Sequence, residues 1–307
     1  MPNRNIKRIK SIQEFHRERG LSKPAHPLIS LVDYSQVHHS AKEMNTSWVQ
    51  DFYTIGLKRN VKGKFRYGQQ RYDFDGGLLS FIAPAQVFGI EEVDYGSGEG
   101  PTGWLLLVHP DFLWNTPLAK QINQYEFFGY SVHESLFLSE REETTMLEIL
   151  KQIEQEYNAN IDGFSQRIIL AQIELLLNFA DRFYNRQFIT RKISNHRILE
   201  RVEEILGEYF NAGDLMEKGL PTVQSLAQAL NMSPNYLGSL LRSLTGQSTQ
   251  QHIHNKLIEK AKEKLSTTDL SVGEIAYALG FEHPQSFSKL FKSKTKQSPI
   301  AFRASFN

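Results

Sequence analysis

A chain of 307 residues without cysteine cannot form disulfide bonds or thiolate metal sites, and it is long enough for two domains of about 150 residues each. Its 40% hydrophobic content, including 20 phenylalanines, excludes a disordered polyelectrolyte. The net charge is only +1, but residues 222–307 hold 10 Lys and Arg against 5 Asp and Glu, a net of +5. The C-terminal end is therefore expected to bind a polyanion. The lack of an apolar signal or spanning segment predicts a cytoplasmic protein outside the membrane.

The N-terminal half begins as a polar segment and then changes to short stretches with β character. Residues 1–24 predict a polar arm with one short helix around Ile12–Glu18. From about Leu28, aromatic and branched residues alternate with turn signals, and closely spaced strands without intervening helices favour an antiparallel sandwich or barrel. The predicted strands are 48–57, 64–74, 77–83, 86–93 and 102–109.

Two interpretations of this β-region stay open from the residues alone. It is either a purely structural core or a barrel that encloses one small-molecule pocket, as small barrels can. A sensory pocket needs polar groups that converge inside an apolar cavity. The candidate ligand contacts are Trp48, Tyr53, Lys58, Arg71 and Trp104.

From Asp111 the pattern becomes helical. Glu140–Tyr157 carries apolar side chains at three- and four-residue spacing, and Phe164–Phe183 is apolar around most of its circumference. A helix of the second kind must bury two faces. One face belongs in its own domain, and the other packs either there or against the same helix of a second subunit, so that a homodimer is expected.

A polar and basic segment, Arg186–Asn195, predicts a linker between two domains. The chain is therefore divided into an α+β domain at 1–185, whose helical part covers about 111–185, and an all-α domain at 196–307. The second domain is expected to begin with a helix at His196–Phe210.

The strongest pattern of the chain runs from Ser271 to Arg303. Ser271 and Glu274 have the spacing of a capping box, which predicts the start of a helix. Gly280 can end that helix in the left-handed conformation, and Pro284 suits the first turn of the next one. Two short helices joined by a glycine turn predict a helix-turn-helix.

A second copy of this pattern lies at Thr222–Ser248, offset by 49 residues and then by 50 after one insertion. Asn231 stands where the later copy has Gly280, and asparagine is one of the few other residues that readily adopt the left-handed turn. Gln250–Leu265 predicts a connecting helix. Two matched copies are far harder to obtain by chance than one, and they predict a DNA-binding domain with two helix-turn-helix units.

The outer faces of the second helices carry the candidate base and phosphate contacts. By donor and acceptor matching, Gln285 suits adenine and Lys289 suits guanine. Gly238 offers no contact atoms, so that it either allows close backbone approach or leaves the first unit reading fewer bases. The candidate DNA contacts are Asn235, Ser239 and Arg242 in the first unit and His283, Gln285, Ser288, Lys289 and Lys292 in the second.

Residues 196–305 resemble the AraC/XylS family of bacterial transcription regulators. The signature places of that family are occupied in the second copy by Ile275, Ala276, Leu279, Gly280, Phe281, Ser286, Phe287, Phe291, Lys292, Ser298, Pro299 and Arg303. The resemblance implies recognition helices that enter successive major grooves, a cupin-like N-terminal effector and dimerisation domain, and RNA polymerase as a partner.

Two other functions compete with this interpretation. A metal-dependent cupin enzyme is disfavoured because the β-region has no His-x-His pair, and adjacent His38 and His39 would point to opposite faces of a strand. No enzyme activity, metal site or cofactor is therefore predicted. A DNA-binding regulator whose β-domain only dimerises stays open, as do the identity of any effector, the operator sequence and the sign of regulation.

Overall fold

The computed structural model describes residues 6–37, 47–59, 77–89, 102–131, 134–159, 164–190, 192–211 and 215–305. It divides the chain into two compact units, Met1–Gln187 and Phe188–Asn307. In the segment predicted as a linker the described residues are helical, and some polar side chains there make contacts. Arg186, for example, forms a two-pronged ion pair with Glu142 at 2.7 and 2.9 Å. Across the described ranges, no helix is both long and apolar enough to cross a membrane.

The strands of the N-terminal unit form two sheets. Their bounds are β1 Ile6–Ile9, β2 Ile29–Asp33, β3 Ser47–Gln50, β4 Tyr53–Arg59, β5 Leu78–Ile82, β6 Val87–Gly89, β7 Thr102–Val108 and β8 Leu136–Phe137. One sheet has the order β1-β3-β6 and the other the order β2-β7-β4-β5-β8. The predicted mixture of a β-rich N-terminal part and helices is confirmed. Within the described residues the strands do not close into one ring, and the cupin-like assignment remains a proposal.

The predicted strand 48–57 is two strands in the structure. The chain bends at Asp51 and Phe52, so that β3 pairs with β6 while β4 pairs with β5 and β7. Gln50 bridges the bend, since its side-chain amide donates to the carbonyl oxygen of Phe52 at 3.2 Å. The predicted strand 64–74 lies outside the described residues, and so does Arg71.

The predicted polar arm is also part of the fold. The short helix α1 occupies Ile12–Glu18, the bounds predicted for it, and β1 pairs in parallel with β3. Ile12 and Phe15 are buried because their three-residue spacing places both on one face of α1, and Ile9 of β1 is buried in the same cluster. The prediction of a polar arm is therefore wrong for the described residues 6–24.

Helices complete the N-terminal unit. They are α2 Pro117–Gln121, α3 Glu140–Asn158 and the first part of α4 Ser165–Thr190. Ser139 and Glu142 form a capping box that starts α3. Aromatic side chains pack α4 on the larger sheet, since Tyr184 stacks on Phe127 at 5.5 Å and Phe127 lies 4.3 Å from Phe81, both between ring centroids.

The C-terminal unit is all helical in the residues described. After the end of α4 it contains α5 Lys192–Asn211, α6 Leu215–Lys218, α7 Val223–Ala229, α8 Pro234–Thr245, α9 Thr249–Thr267, α10 Val272–Ala278, α11 Pro284–Thr295 and α12 Pro299–Ala304. One apolar core joins these helices, and α9 runs through it with Ile253, Leu257, Ala261 and Leu265 buried. The predicted pairs of short helices and the connecting helix are confirmed.

Candidate nucleic-acid interface

The second helix-turn-helix is held in shape by its cap and its central glycine. Ser271 Oγ accepts from Glu274 N at 3.2 Å, and the Glu274 carboxylate accepts from Ser271 N at 2.7 Å. Hydrogen bonding first to the Ser271 side chain and then to its backbone holds the pKa of Glu274 below its usual value. Gly280 has a φ of +83°, and a Cβ there would lie 3.0 Å from the carbonyl oxygen of Leu215. Only glycine makes so tight a turn without strain, as the sequence predicted.

Helix α11 has one buried and one exposed side. Phe287 and Phe291 are both 0% exposed in the core, and full burial of each is worth about 1.5–3 kcal/mol. This burial fixes the rotation of the helix about its axis, and the opposite side therefore faces water. Of the candidate contacts there, His283, Gln285, Lys289 and Lys292 are exposed and Ser288 is half-buried.

The first unit repeats this arrangement with different chemistry. Thr222 and Ser225 form a capping box at the start of α7, and Asn231 adopts a φ of +53° at the turn, as predicted for the counterpart of Gly280. Leu237, Leu240 and Leu241 are 0% exposed. Of the candidate contacts on the other side of α8, Asn235 and Arg242 are exposed and Ser239 is half-buried.

The two recognition helices differ strongly in charge. Arg242 is the single basic residue of α8, whereas Lys289, Lys292 and Lys294 lie on α11 and Lys296 caps its end. The second unit therefore has the more basic surface, and basic side chains that neutralise phosphates release counterions from a duplex. The two units thus differ in charge although their helices follow the same order.

Helix α9 contributes two histidines that the sequence analysis did not single out. Buried His252 places Nε2 2.9 Å from Thr245 Oγ1, which ties α9 to the end of α8. The pKa of His254 is lowered, first by burial and then by the charge of Lys294. Neither histidine could be recognised from periodicity, because each acts through a neighbour from another helix.

The candidate ligand residues of the N-terminal unit fall on two faces of its sheet. Lys58 has its ammonium 4.6 Å from the ring of Tyr34, on the side of the core cluster that contains Trp48. Tyr53 has the opposite parity along β4, and Trp104 pairs with Leu57, which shares that parity. The structure therefore places Lys58 on the side of the five-stranded sheet that faces the cluster with Trp48. Tyr53 and Trp104 lie on the other side of that sheet.

Buried polar groups that the sequence analysis missed lie beside Trp48. The Arg19 guanidinium is 4.8 Å from the Trp48 ring, and Arg19 is only 3% exposed. Trp48 is 1% exposed, and its Nε1 has no hydrogen-bond partner among the described residues. His16 lies nearby in α1, 2.9 Å from Ser30 Oγ through Nε2, and burial lowers its pKa. These groups were missed because residues 1–24 were assigned to an arm outside the core.

Comparisons with known proteins agree with this description of the C-terminal unit. Residues 226–305 match a family model described as a helix-turn-helix domain. YijO of Escherichia coli (strain K12), an uncharacterized helix-turn-helix transcriptional regulator, is 35% identical over 86 residues, which are 28% of this chain and 30% of that protein. The Msm operon regulatory protein of Streptococcus mutans is 21% identical over 281 residues, covering 90% of this chain and 94% of that protein.

Among solved structures, the C-terminal domain of AraT, a response regulator from Geobacillus stearothermophilus, is 30% identical and covers 35% of this chain and 84% of that one, with a TM-score of 0.31. The helices α7–α8 and α10–α11 define a DNA-binding domain with two helix-turn-helix units. This domain is similar to those of helix-turn-helix transcriptional regulators, in agreement with the resemblance to the AraC/XylS family. The chain spans 30% of the length of YijO, so that likeness covers less than a third of either protein.

Proposed function

We propose that this protein is a sequence-specific transcriptional regulator that reads duplex DNA with α8 and α11 and catalyses no reaction. The observation that carries the proposal is the pair of capped helices whose apolar sides are buried in one core while their polar sides stay exposed. Rigid helices with a fixed exposed face are what major-groove reading requires. RNA polymerase is the second macromolecular partner of such a regulator.

In each unit, some exposed side chains are assigned to base contacts and others to phosphate contacts. In the second unit, Gln285 and Lys289 are one turn apart on the exposed side, where they suit adenine and guanine edges. Lys292 and His283 flank them toward the backbone of the duplex. In the first unit, Asn235 stands in the place of Gln285 and Arg242 in the place of Lys292. Ser239 lies between them. Base contacts specify the sequence, while phosphate contacts position the protein.

Homodimer formation is proposed through α4. Phe164, Ile168 and Leu175 are 65%, 44% and 43% exposed, and their spacing of four and seven residues is that of a heptad seam. The other side of α4 is buried in its own unit, for example at Leu176 and Leu177. A second copy of the same helix is the occupant that matches a heptad seam, because both partners then present the same spacing.

Effector control is proposed for the N-terminal unit, whose cupin-like role the resemblance implies. The Trp48 indole without a hydrogen-bond acceptor and the Arg19 guanidinium above its ring support a small ligand that carries acceptor oxygens. The competing function is a β-domain that only dimerises. A thermal-shift screen with metabolites distinguishes the two, since a ligand specific for the native state stabilises it by mass action.

The reading role of α11 is tested by Lys289→Ala. Removal of one base contact is expected to cost about 1–3 kcal/mol on a selected site and to relax preference at one base pair. Lys151→Ala in α3, an exposed lysine of the N-terminal unit, makes the same change of net charge and is the control. Equal losses in the two variants would show that Lys289 contributes charge alone, and no loss in either would refute the assignment.

A further inference from the structure

The internal repeat shows a difference between the two units that charge does not explain. Tyr236 in α8 and Ser286 in α11 occupy matching places, since Leu237 and Phe287 follow them as matched core residues. Tyr236 is only 1% exposed, whereas Ser286 is exposed. A neighbouring group therefore buries Tyr236 in the first recognition helix, whereas the matching place in the second helix is exposed to water.

The covering group is the end of α4. The ring of Phe188 meets that of Tyr236 edge to face, with 5.2 Å between centroids and 72° between planes. Phe188 is itself 3% exposed, and its carbonyl oxygen accepts from the side-chain amide of Asn195 in α5, which is 2% exposed. The last residues of α4 are thus fastened to α5 and α8 together.

The contact falls on the part of α8 that matters for reading. Tyr236 lies in the first turn of the helix, and Ser233 Oγ accepts from its backbone N at 3.2 Å. Asn235 precedes it on the exposed side. In helix-turn-helix proteins the N-terminal residues of the recognition helix reach the base edges. A group that holds this turn therefore sets the angle at which Asn235 is presented.

We infer that Phe188 and Tyr236 are positioning residues for the first recognition helix, so that base reading by α8 depends on the end of α4 while reading by α11 does not. The inference rests on the proposed function. Neither side chain touches DNA, since both are buried. They act by fixing the direction of α8. The first unit carries fewer basic residues than the second, so its reading of DNA depends more on fixed geometry.

The test measures base discrimination in the two halves of a selected DNA site with the full-length protein. One duplex carries a changed base pair in the half read by α8, and another carries a change in the half read by α11. Phe188→Ala is expected to reduce discrimination in the α8 half about fivefold or more, the low end of what one base contact contributes. Discrimination in the α11 half is expected to stay within about twofold, because distant sites act independently.

Controls separate positioning from loss of folding. Ile189→Ala truncates the neighbouring side chain of α4, which is 53% exposed, and is expected to leave both halves unchanged. Phe188→Leu keeps most of the buried volume, so that it folds even where the alanine variant does not, and it is expected to lose discrimination in the α8 half alone. A proportional loss in both halves, or no loss in either, would overturn the inference. Failure of the wild type to select any sequence would instead overturn the proposed function, and the inference with it.

Discussion

Gly238 lies in the middle of α8, where the structure gives no folding reason for glycine. A Cβ at this position would lie 3.9 Å from Thr249 Oγ1 and 4.0 Å from an Arg242 guanidinium nitrogen, which are ordinary contact distances. Gly238→Ala therefore gains helix propensity without a clash, and mid-helix glycine costs about 1 kcal/mol relative to alanine. We expect the variant to be more stable than the wild type by about 0.5–1 kcal/mol.

Two optical probes distinguish this effect from changes elsewhere. All 3 tryptophans, Trp48, Trp104 and Trp114, lie in the N-terminal unit, so their fluorescence follows that unit alone. Helical circular dichroism follows both units. In urea unfolding, Gly238→Ala should raise the midpoint by circular dichroism and leave the fluorescence midpoint unchanged. Unchanged or lower stability by circular dichroism would refute the reasoning from open space and propensity.

The same variant decides between the two roles that the sequence left open for Gly238. If the glycine lets the DNA backbone approach α8, the stabilised variant should bind its site more weakly by roughly tenfold, the equivalent of about 1.4 kcal/mol. We expect this result, because no protein neighbour requires the glycine. Affinity equal to that of the wild type would mean that α8 reads fewer bases at this place.

Three further predictions concern charge, backbone strain and dimerisation. Lys292→Gln should reduce the slope of log affinity against log salt by about 0.9, since one phosphate contact is lost, and an unchanged slope would remove Lys292 from the phosphate contacts. Gly280→Ala should cost about 1–2 kcal/mol for its φ and more for the backbone 3.0 Å away, whereas Gly246→Ala, with φ +72° and open space, should cost the φ part alone. Equal urea midpoints for the two variants would contradict an added cost from crowding at Gly280. Leu175→Glu should convert a dimer to a monomer in sedimentation, and a monomeric wild type would refute the α4 seam.

The C-terminal unit could be predicted because its signals are local. Ser271 and Glu274, for example, bond to each other within one turn, so that their spacing alone contains the information. Gly280 and Asn231 mark the turns for an equally local reason, since few residue types tolerate a positive φ. The buried and exposed sides of α11 followed from helical periodicity.

The N-terminal unit was harder because its structure depends on distant pairing. The bend at Asp51 and Phe52 has no strong turn signal, and the separation of β3 from β4 is visible only once their partners β6 and β7 are known. Arg19 approaches Trp48 from a segment that looked like a polar arm. No local pattern reveals such a contact, because it joins elements from two parts of the chain.

The candidate interface shows the same limit on a smaller scale. Exposed residues such as Lys289 could be chosen from the helical face alone. Tyr236 could not, because the ring that buries it, Phe188, lies 48 residues earlier in the sequence, beyond the reach of periodicity. The roles of His252 and His254 in α9 could not be predicted for the same reason. Residues that contact DNA can be read from one helix, whereas residues that position the helix require the fold.

Selection of bound duplexes from a random pool is the most direct test of the central claim that both recognition helices read DNA. The account predicts two enriched blocks of base pairs whose centres are about one helical turn, roughly 10 base pairs, apart within each monomer site. Asn235→Ala should relax preference at a base pair of one block and Gln285→Ala at a base pair of the other. Absence of enrichment, or a single block that both variants weaken alike, would contradict the account.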